Sequence, residues 1–216
     1  MAGGCYPDRQ VHAVIVAGGA GERLGRRVKA DLELGGRRLL DLVWSGLAGV
    51  VAGRRVVVAP ENVTIPDGAI RTLEQPPGGG PLAGIGAGLA ALNVTDPTAR
   101  VLVCAVDSPG MGRLAVRLVQ ALDAAPAHDG AVIHGGEPVP FRQYLQACYR
   151  LPSLTRVLAA AGELRNRGVG RTLRVLDLVE VPAAAEDCRD IDSFADLAWW
   201  TARLGPAAAD PGSWAG

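Results

Sequence analysis

This chain of 216 residues has few aromatic side chains and no net charge. Phenylalanine, tryptophan and tyrosine together make up 4% of the sequence, and 22 acidic residues balance 22 lysines and arginines. A chain without net charge has no global field that attracts nucleic acid or an anionic membrane surface. We therefore expect neither of these as a partner.

Cysteines and long apolar runs are also limited. The four cysteines lie far apart and form no C-x-x-C pair, which excludes the usual patterns of a zinc site or a redox motif. No stretch approaches the roughly 18 uninterrupted apolar residues of a transmembrane helix, and the opening residues lack the apolar core of a signal peptide. We expect a cytoplasmic protein with reduced thiols.

Short apolar runs alternate along the chain with segments of helical spacing. This alternation predicts an α/β protein with a Rossmann-like three-layer α/β/α fold and a mostly parallel sheet, in a single domain over 1–204 and a flexible tail over 205–216. The strands are expected at Val11–Ala17, Arg55–Ala59, Val101–Val106, Ala131–His134 and Arg174–Val181. The helices are expected at Leu39–Ala52, Leu82–Asn93, Arg113–Ala124, Ser153–Ala161 and Phe194–Leu204.

A glycine-rich segment follows the first expected strand. Residues 16–29 read V-A-G-G-A-G-E-R-L-G-R-R-V-K and combine bare backbone amides with cations such as Arg23 and Lys29. Such groups at the end of a buried strand are suited to hold a polyphosphate. The dinucleotide pattern G-x-G-x-x-G fails at Leu24, and the P-loop pattern fails because no lysine follows Gly25. A strand-to-helix turn with solvated arginines fits these residues equally well.

A single aspartate, Asp107, ends the expected strand at Val101–Val106 and precedes Ser108 and Pro109. A carboxylate at the tip of a buried strand beside a phosphate loop suits Mg²⁺, which takes one or two protein carboxylates and completes its octahedron with phosphate oxygens and water. Asp107 is therefore the first candidate ligand of Mg²⁺. The alternative is an aspartate that caps the following helix.

A second glycine-rich segment, P-P-G-G-G-P-L over 76–82, leads into an expected helix. Three successive glycines let the backbone approach a flat ligand closely, while the prolines restrict collapse of the empty loop. This favours a base-binding wall that includes Gly80, Pro81 and Leu82. A flexible surface linker is disfavoured, because apolar residues at helical spacing follow directly.

Two aspartates, Asp190 and Asp192, precede Ser193 and the last expected helix. Residues two apart on an extended stretch face the same side, so both carboxylates can face the ligand edge of the sheet. Asp192 is the candidate for a second Mg²⁺ ligand. We also expect either Asp192 or Ser193 to cap the helix.

Three motifs in this order resemble the molybdenum cofactor guanylyltransferase family of MobA-like nucleotidyltransferases. They are A-G-G-x-x-x-R-x-G-x-x-x-K from Ala17, G-P-L-A-G-I from Gly80 and C-A-V-D-S-P from Cys104. Residues 143–150 are similar to the Q-P-L-F-A-L-Y-R stretch of that family, and 189–193 lie where it has N-x-N-T/S. The resemblance spans roughly 11–204 and implies a GT-A-like nucleotidyltransferase fold.

The resemblance also implies an activity. In that family GTP reacts with molybdenum-molybdopterin in the presence of Mg²⁺ to give the guanine dinucleotide cofactor and pyrophosphate. It implies catalytic roles for Arg23, Lys29 and Asp107. We expect a monomer or weak homo-oligomer, with transient partners in molybdoenzyme assembly. The nucleotide-binding positions it implies, with the neighbouring loop residues, are Val16, Ala17, Gly18, Gly19, Lys29, Glu74, Gly80, Pro81, Leu82 and Asp107.

Departures from the family pattern keep alternatives open. Val28 stands where the family commonly has aspartate, Pro60 where asparagine is frequent, and Asp190 and Asp192 replace two asparagines. The sequence D-I-D is more typical of the sister cytidylyltransferases, which makes CTP the alternative to GTP. An alternative of another class is a nucleotide-binding partner in cofactor assembly that has lost transfer activity. A dinucleotide-dependent oxidoreductase ranks third, because the glycine spacing is missing.

Overall fold

The computed structural model describes residues 10–21, 24 and 27–204. Its strands are β1 (Val11–Val16), β2 (Ala20–Gly21), β3 (Arg27–Val28), β4 (Glu33–Leu34), β5 (Arg37–Arg38), β6 (Arg55–Val58), β7 (Ile70–Thr72), β8 (Arg100–Ala105), β9 (Gly130–Gly135), β10 (Phe141–Arg150) and β11 (Leu178–Pro182). Its helices are α1 (Leu39–Gly46), α2 (Pro81–Leu92), α3 (Met111–Ala124), α4 (Leu151–Ala161), α5 (Val169–Leu173) and α6 (Phe194–Leu204). The expected tail over 205–216 lies outside the described residues.

Seven strands form the central sheet, in the order β11-β9-β10-β8-β1-β6-β7. Strand β1 runs parallel to β6 and β8, and β6–β7 and β9–β11 are also parallel pairs. The prediction of a mostly parallel sheet is confirmed. Strand β10 is antiparallel to both of its neighbours and was not among the expected strands. Its polar residues Arg142, Gln143 and Gln146 interrupt the apolar pattern that identified the other strands.

Side chains of the central strands alternate between two apolar cores. Ile15 and Cys104 point into the core that α1, α3 and α6 cover, whereas Val14 and Val103 point into the core that α2, α4 and α5 cover. Because successive side chains of a strand face opposite sides, fully apolar strands are expected where both faces of a sheet are buried. The three-layer α/β/α prediction is confirmed.

The first expected helix ends earlier than predicted. Helix α1 stops at Gly46 instead of Ala52, and a turn follows it. A Cβ at Gly46 would lie 2.9 Å from the Cα of Gly112, so α1 and α3 approach each other closely at these two glycines. Leu47, Val50 and Val51 continue the helical spacing beyond Gly46 and Gly49, which explains why the prediction ran past these glycines.

The expected strand Arg174–Val181 is wrong in its first half. Helix α5 precedes Arg174, and the strand begins only at Leu178. Leu173 and Leu176 are buried in the core beneath α4 and α5, where they follow helical rather than strand spacing. No helix within the described ranges is long and apolar enough to cross a membrane.

Candidate active site

A cavity of about 350 Å³ opens at the carboxyl ends of β1, β6 and β8. Ligands of open α/β sheets bind at this edge, where the loops after the strands diverge. The residues singled out from the sequence that line the cavity are Val16, Gly18, Gly19, Lys29, Glu74, Gly80, Pro81 and Asp107. Ala17 and Leu82 are buried in the two cores beside it. Arg23 lies outside the described residues.

Lys29 lies between two carboxylates at the edge of this cavity. Its Nζ donates hydrogen bonds to Oδ2 of Asp107 at 2.7 Å and to Oδ1 of Asp192 at 2.6 Å. Burial alone would lower the pKa of Lys29, but the charges and hydrogen bonds of the two aspartates outweigh it and raise the pKa. The ammonium group is therefore charged at neutral pH.

The two carboxylates on Lys29 form an arrangement that fits Mg²⁺. Asp107 and Asp192 already share one cation, and Mg²⁺ usually takes one or two protein carboxylates together with substrate phosphates and water. Across the described part of the chain, no group of three or more His, Cys, Asp or Glu side chains is arranged to hold a metal ion. A metal here would thus depend on ligands from the substrate and from water.

The backbone around Asp107 fixes its position at the tip of β8. The amide of Val106 donates to the carbonyl of Val16 at 3.0 Å, and the amide of Ile191 donates to the carbonyl of Asp107 at 2.9 Å. Helix α3 begins at Met111, with Gly110 at the capping position and no side-chain cap. Asp107 therefore does not cap this helix, and its carboxylate is directed to Lys29.

Asp190 and Asp192 occupy different environments, although they are only two residues apart. The Oδ1 atom of Asp190 accepts hydrogen bonds from Oγ of Ser108 at 2.7 Å and from Nε2 of Gln146 at 3.2 Å. Burial and the negative charge of Asp107 raise the pKa of Asp190 to about 7. The sequence comparison included Gln146 in the stretch 143–150 but gave it no role, because its partners come from distant segments.

Ser193 caps α6, as one of the two capping alternatives predicted. Its Oγ accepts a hydrogen bond from the amide of Asp196 at 3.2 Å and donates one to Oδ2 of Asp196 at 2.6 Å. The amide of Asp192 also donates to this carboxylate, at 3.2 Å. This arrangement resembles a capping box, which sets the direction in which the chain enters the helix. It therefore helps to place Asp192.

The carboxylate of Glu74 binds the backbone of the second glycine-rich loop. Its Oε1 accepts hydrogen bonds from the amides of Gly78 and Gly79, both at 3.1 Å. Its other oxygen makes no hydrogen bond within the described part of the chain, and the residue lines the cavity. Glu74 thus has one carboxylate oxygen to offer to a ligand.

The segment between α4 and α5 also binds the backbone of this loop. Arg165 donates to the carbonyl oxygens of Pro76 at 2.9 Å and Pro77 at 3.3 Å, and the amide of Asn166 donates to the carbonyl of Gly79 at 2.7 Å. These contacts were not expected from the sequence. They make the glycine-rich loop a fixed wall of the cavity.

A second cavity of about 340 Å³ adjoins the first. The two share Ala105, Asp107 and Leu145, and the second extends from them along β10 toward Gly170. Asp190 and Asp192 also line it. The paired carboxylates therefore lie at the boundary between two cavities.

The fold is that of a three-layer α/β protein with a cavity at the carboxyl edge of its sheet. The model of the MobA-like NTP transferase domain matches residues 13–179, and the chain belongs to this family of nucleotidyltransferases. A relative from Acidiphilium cryptum (strain JF-5), a molybdenum cofactor guanylyltransferase, is 35% identical over 164 residues, which cover 74% of this chain and 83% of that protein.

Solved structures show the same fold at lower identity. The 2-C-methyl-D-erythritol 4-phosphate cytidylyltransferase from Thermus thermophilus is 21% identical with a TM-score of 0.67, over 90% of this chain and 98% of that one. The molybdopterin-guanine dinucleotide biosynthesis protein A from Archaeoglobus fulgidus is 19% identical with a TM-score of 0.59, over 89% and 98% of the two chains. Both likenesses support the expected nucleotidyltransferase fold.

Proposed function

We propose that the protein transfers GMP from GTP to molybdenum-molybdopterin, forming molybdopterin guanine dinucleotide and releasing pyrophosphate. The observation that carries the proposal is the convergence of the first glycine-rich loop, Lys29 and Asp107 on one cavity at the carboxyl edge of the sheet. The relative from Acidiphilium cryptum, itself a molybdenum cofactor guanylyltransferase, supports this acceptor and this nucleotide.

In this proposal the nucleotide lies along the first cavity. The backbone at Gly18 and Gly19 and the ammonium of Lys29 neutralise the phosphates, in line with the preference of such loop ends for anions. The base lies against the wall at Gly80, and the remaining oxygen of Glu74 accepts a hydrogen bond from the nucleoside.

The chemistry needs no nucleophile from the protein. A phosphate monoester has a second pKa of about 6, so the terminal phosphate of the acceptor is mostly dianionic at neutral pH. One of its oxygens forms a bond to the α-phosphorus of the nucleotide, while the bond from this phosphorus to the bridging oxygen breaks and the electron pair leaves with pyrophosphate. Catalysis then consists of positioning and charge stabilisation.

The charged residues at the cavity boundary have separate roles in this reaction. Asp107 and Asp192 would hold Mg²⁺, which when bound supplies neutralisation of charge on the phosphates. Lys29 places a positive charge where the pyrophosphate departs. The second cavity would hold the acceptor, because it meets the first at Asp107 and so brings the two substrates together.

CTP is the second candidate nucleotide, and one observation favours it. Guanine presents two neighbouring N–H groups at its pairing edge, whereas cytosine presents a single amino group. Glu74 uses one oxygen to bind Gly78 and Gly79, and the remaining one matches a single donor. The D-I-D sequence at 190–192 points in the same direction.

Pyrophosphate release with GTP, CTP, ATP and UTP tests the proposal, with Mg²⁺ and with or without molybdenum-molybdopterin. We expect release only with GTP and the acceptor together. Release with CTP would move the function to cytidylyl transfer. Tight nucleotide binding without release would support the partner protein in cofactor assembly, and binding of NADPH instead would support the oxidoreductase.

A further inference from the structure

Gln146 is a polar side chain in the middle of the molecule, with 2% of its surface exposed. Its Nε2 lies 3.0 Å from the carbonyl oxygen of Cys188, 3.2 Å from Oδ1 of Asp190 and 3.3 Å from Oγ of Ser108. A polar group is costly to bury unless it makes hydrogen bonds. The Nε2 group makes them and so connects β10, the end of β8 and the segment before α6, whereas Oε1 has no partner among the described residues. The proposed reaction gives Gln146 no chemical role.

Asp190 needs the donors that Gln146 and Ser108 provide. Its Oδ1 atom accepts from two buried donors, one on β10 and one in the turn after β8. A buried donor left without an acceptor is costly, so both donors favour this one position of the Asp190 side chain. These bonds therefore hold Asp190 in place.

The segment 188–192 is attached to β10 and to the end of β8. Gln146 of β10 donates to the carbonyl of Cys188 and to the side chain of Asp190, and the amide of Ile191 donates to the carbonyl of Asp107. Asp192 follows directly, so these hydrogen bonds set the distance between Asp192 and Asp107.

We infer that Gln146 and Asp190 form a positioning pair, in which the buried amide holds the D-I-D segment so that Asp192 stands opposite Asp107 for metal and nucleotide. The inference rests on the proposed role of these two aspartates. Both members line the second cavity, and the inferred role does not depend on contact with the acceptor. Their effect is on the spacing of the two carboxylates.

Hydrogen exchange of the Ile191 amide tests the anchoring without any substrate. In Gln146→Met, which keeps the volume and removes the donor, we expect this amide to exchange at least tenfold faster, while the amide of Val14 in β1 keeps its rate. Gln120→Met, the same change at an exposed position of α3, is the matched control and leaves both rates unchanged. An unchanged rate at Ile191 in Gln146→Met would overturn the inference.

A double-mutant cycle with Asp190→Ala tests the pairing. Alanine removes the oxygen that accepts from Gln146, so the amide of Gln146 keeps only its contacts with Cys188 and Ser108. We expect Gln146→Met to speed exchange at Ile191 by no more than about threefold in this background. Equal factors in both backgrounds would mean that Gln146 acts independently of Asp190. If Gln146→Met does not fold, Ser108→Ala removes the other donor to the same oxygen and replaces it in the cycle.

Kinetics then separate positioning from simple support of the fold. For pyrophosphate release we expect Gln146→Met to lower kcat at least tenfold and to raise the Mg²⁺ concentration needed for half-maximal rate, with KM for the nucleotide changed less than twofold. A loss confined to thermal stability would contradict the positioning role. A wild-type protein that releases no pyrophosphate would overturn the proposed function alone, because the exchange measurements stand without it.

Discussion

Asp107 contacts two parts of the site through different groups. Its carboxylate binds Lys29, whereas its backbone carbonyl receives the amide of Ile191. Replacing the side chain by alanine removes a charged ligand and leaves the backbone contact in place. The chemical and the structural contributions of Asp107 are therefore separable.

For Asp107→Ala we expect turnover to fall by at least about a hundredfold, as for the loss of one electrostatic stabiliser of a transition state. The circular dichroism spectrum should stay that of the wild type. Pyrophosphate release measures the effect, and Asp67→Ala, at an exposed position in the turn before β7, is the control. Wild-type turnover in Asp107→Ala would exclude the carboxylate from the mechanism.

At the scale of elements, one wall of the first cavity depends on an unusual backbone conformation. Gly80 has φ 85° and ψ 172° where α2 begins, a region that is essentially restricted to glycine. Gly68 also has a positive φ, of 78°, but lies in a turn away from the lining of the cavity. The same substitution can therefore be compared at two glycines with positive φ, of which only Gly80 lines the cavity.

We expect Gly80→Ala and Gly68→Ala each to lower the free energy of unfolding by about 1 to 3 kcal/mol, because alanine is strained at positive φ. Only Gly80→Ala should also weaken nucleotide binding, by roughly tenfold, which corresponds to about 1.4 kcal/mol of lost contact. Urea unfolding and calorimetric titration measure the two effects. Equal nucleotide affinity in both variants would mean that the loop at Gly80 is not the wall of the site.

Asp129 joins three elements far from the cavity. Its Oδ1 accepts from Oγ of Ser153 in α4 at 2.5 Å, and its Oδ2 accepts from the amide of Asp177 before β11 at 3.1 Å. Burial alone would raise the pKa of Asp129, but these bonds and the charge of Arg156 outweigh it and lower the pKa. A carboxylate whose pKa is lowered in the folded state stabilises the fold fully at pH values above its pKa in the unfolded chain, which is about 4. This stabilisation is lost as the pH falls through the lower pKa of the folded state.

Asp129→Asn should therefore cost on the order of 1 kcal/mol of unfolding free energy at pH 7, a small value because the group is partly screened by solvent. The difference from wild type should shrink as the pH falls below about 4. Urea unfolding at pH 7 and pH 3.5 checks both statements. An equal loss at the two values would show that the charge of Asp129 contributes nothing.

Elements were predictable where the apolar pattern is regular. The strand at Val11–Val16 and the helix at Phe194–Leu204 follow directly from spacing, and Ser193 with Asp196 three residues later marks the start of that helix. Strand β10 was not predictable in this way. It lies between β8 and β9 with partly polar residues, and an irregular register with β9 falls between Gln143 and Ala147.

At the scale of the whole molecule, the sequence predicted which loops meet but not how they are held. The order of strands and glycine-rich loops was enough to bring Gly18, Lys29 and Asp107 to one edge, since parallel strands share a carboxyl end. The contacts of Arg165 with the glycine-rich loop and of Gln146 with Asp190 join segments 44 to 89 residues apart. Such contacts depend on the packed structure and leave no local pattern.

Ligand binding should be visible in the stability of the entire chain. A nucleotide at a hundred times its Kd adds about 2.7 kcal/mol to the free energy of unfolding. For a domain of this size, we expect the proposed substrate GTP with Mg²⁺ to raise Tm by roughly 5 to 10 °C. Scanning fluorimetry with GTP, with CTP and with each in EDTA measures this shift. A Tm that none of these ligands moves would contradict a nucleotide site in the cavity.

Lys29 is the only lysine in the chain, and its ammonium is clamped by Asp107 and Asp192. A protonated amine is a poor nucleophile, so this side chain is protected from acylating reagents for as long as the clamp is closed. Because the chain has no other lysine, Lys29 is the one side-chain amine that such a reagent can label. The rate of its labelling therefore measures how often the ion pairs of Lys29 with Asp107 and Asp192 break, without an introduced probe.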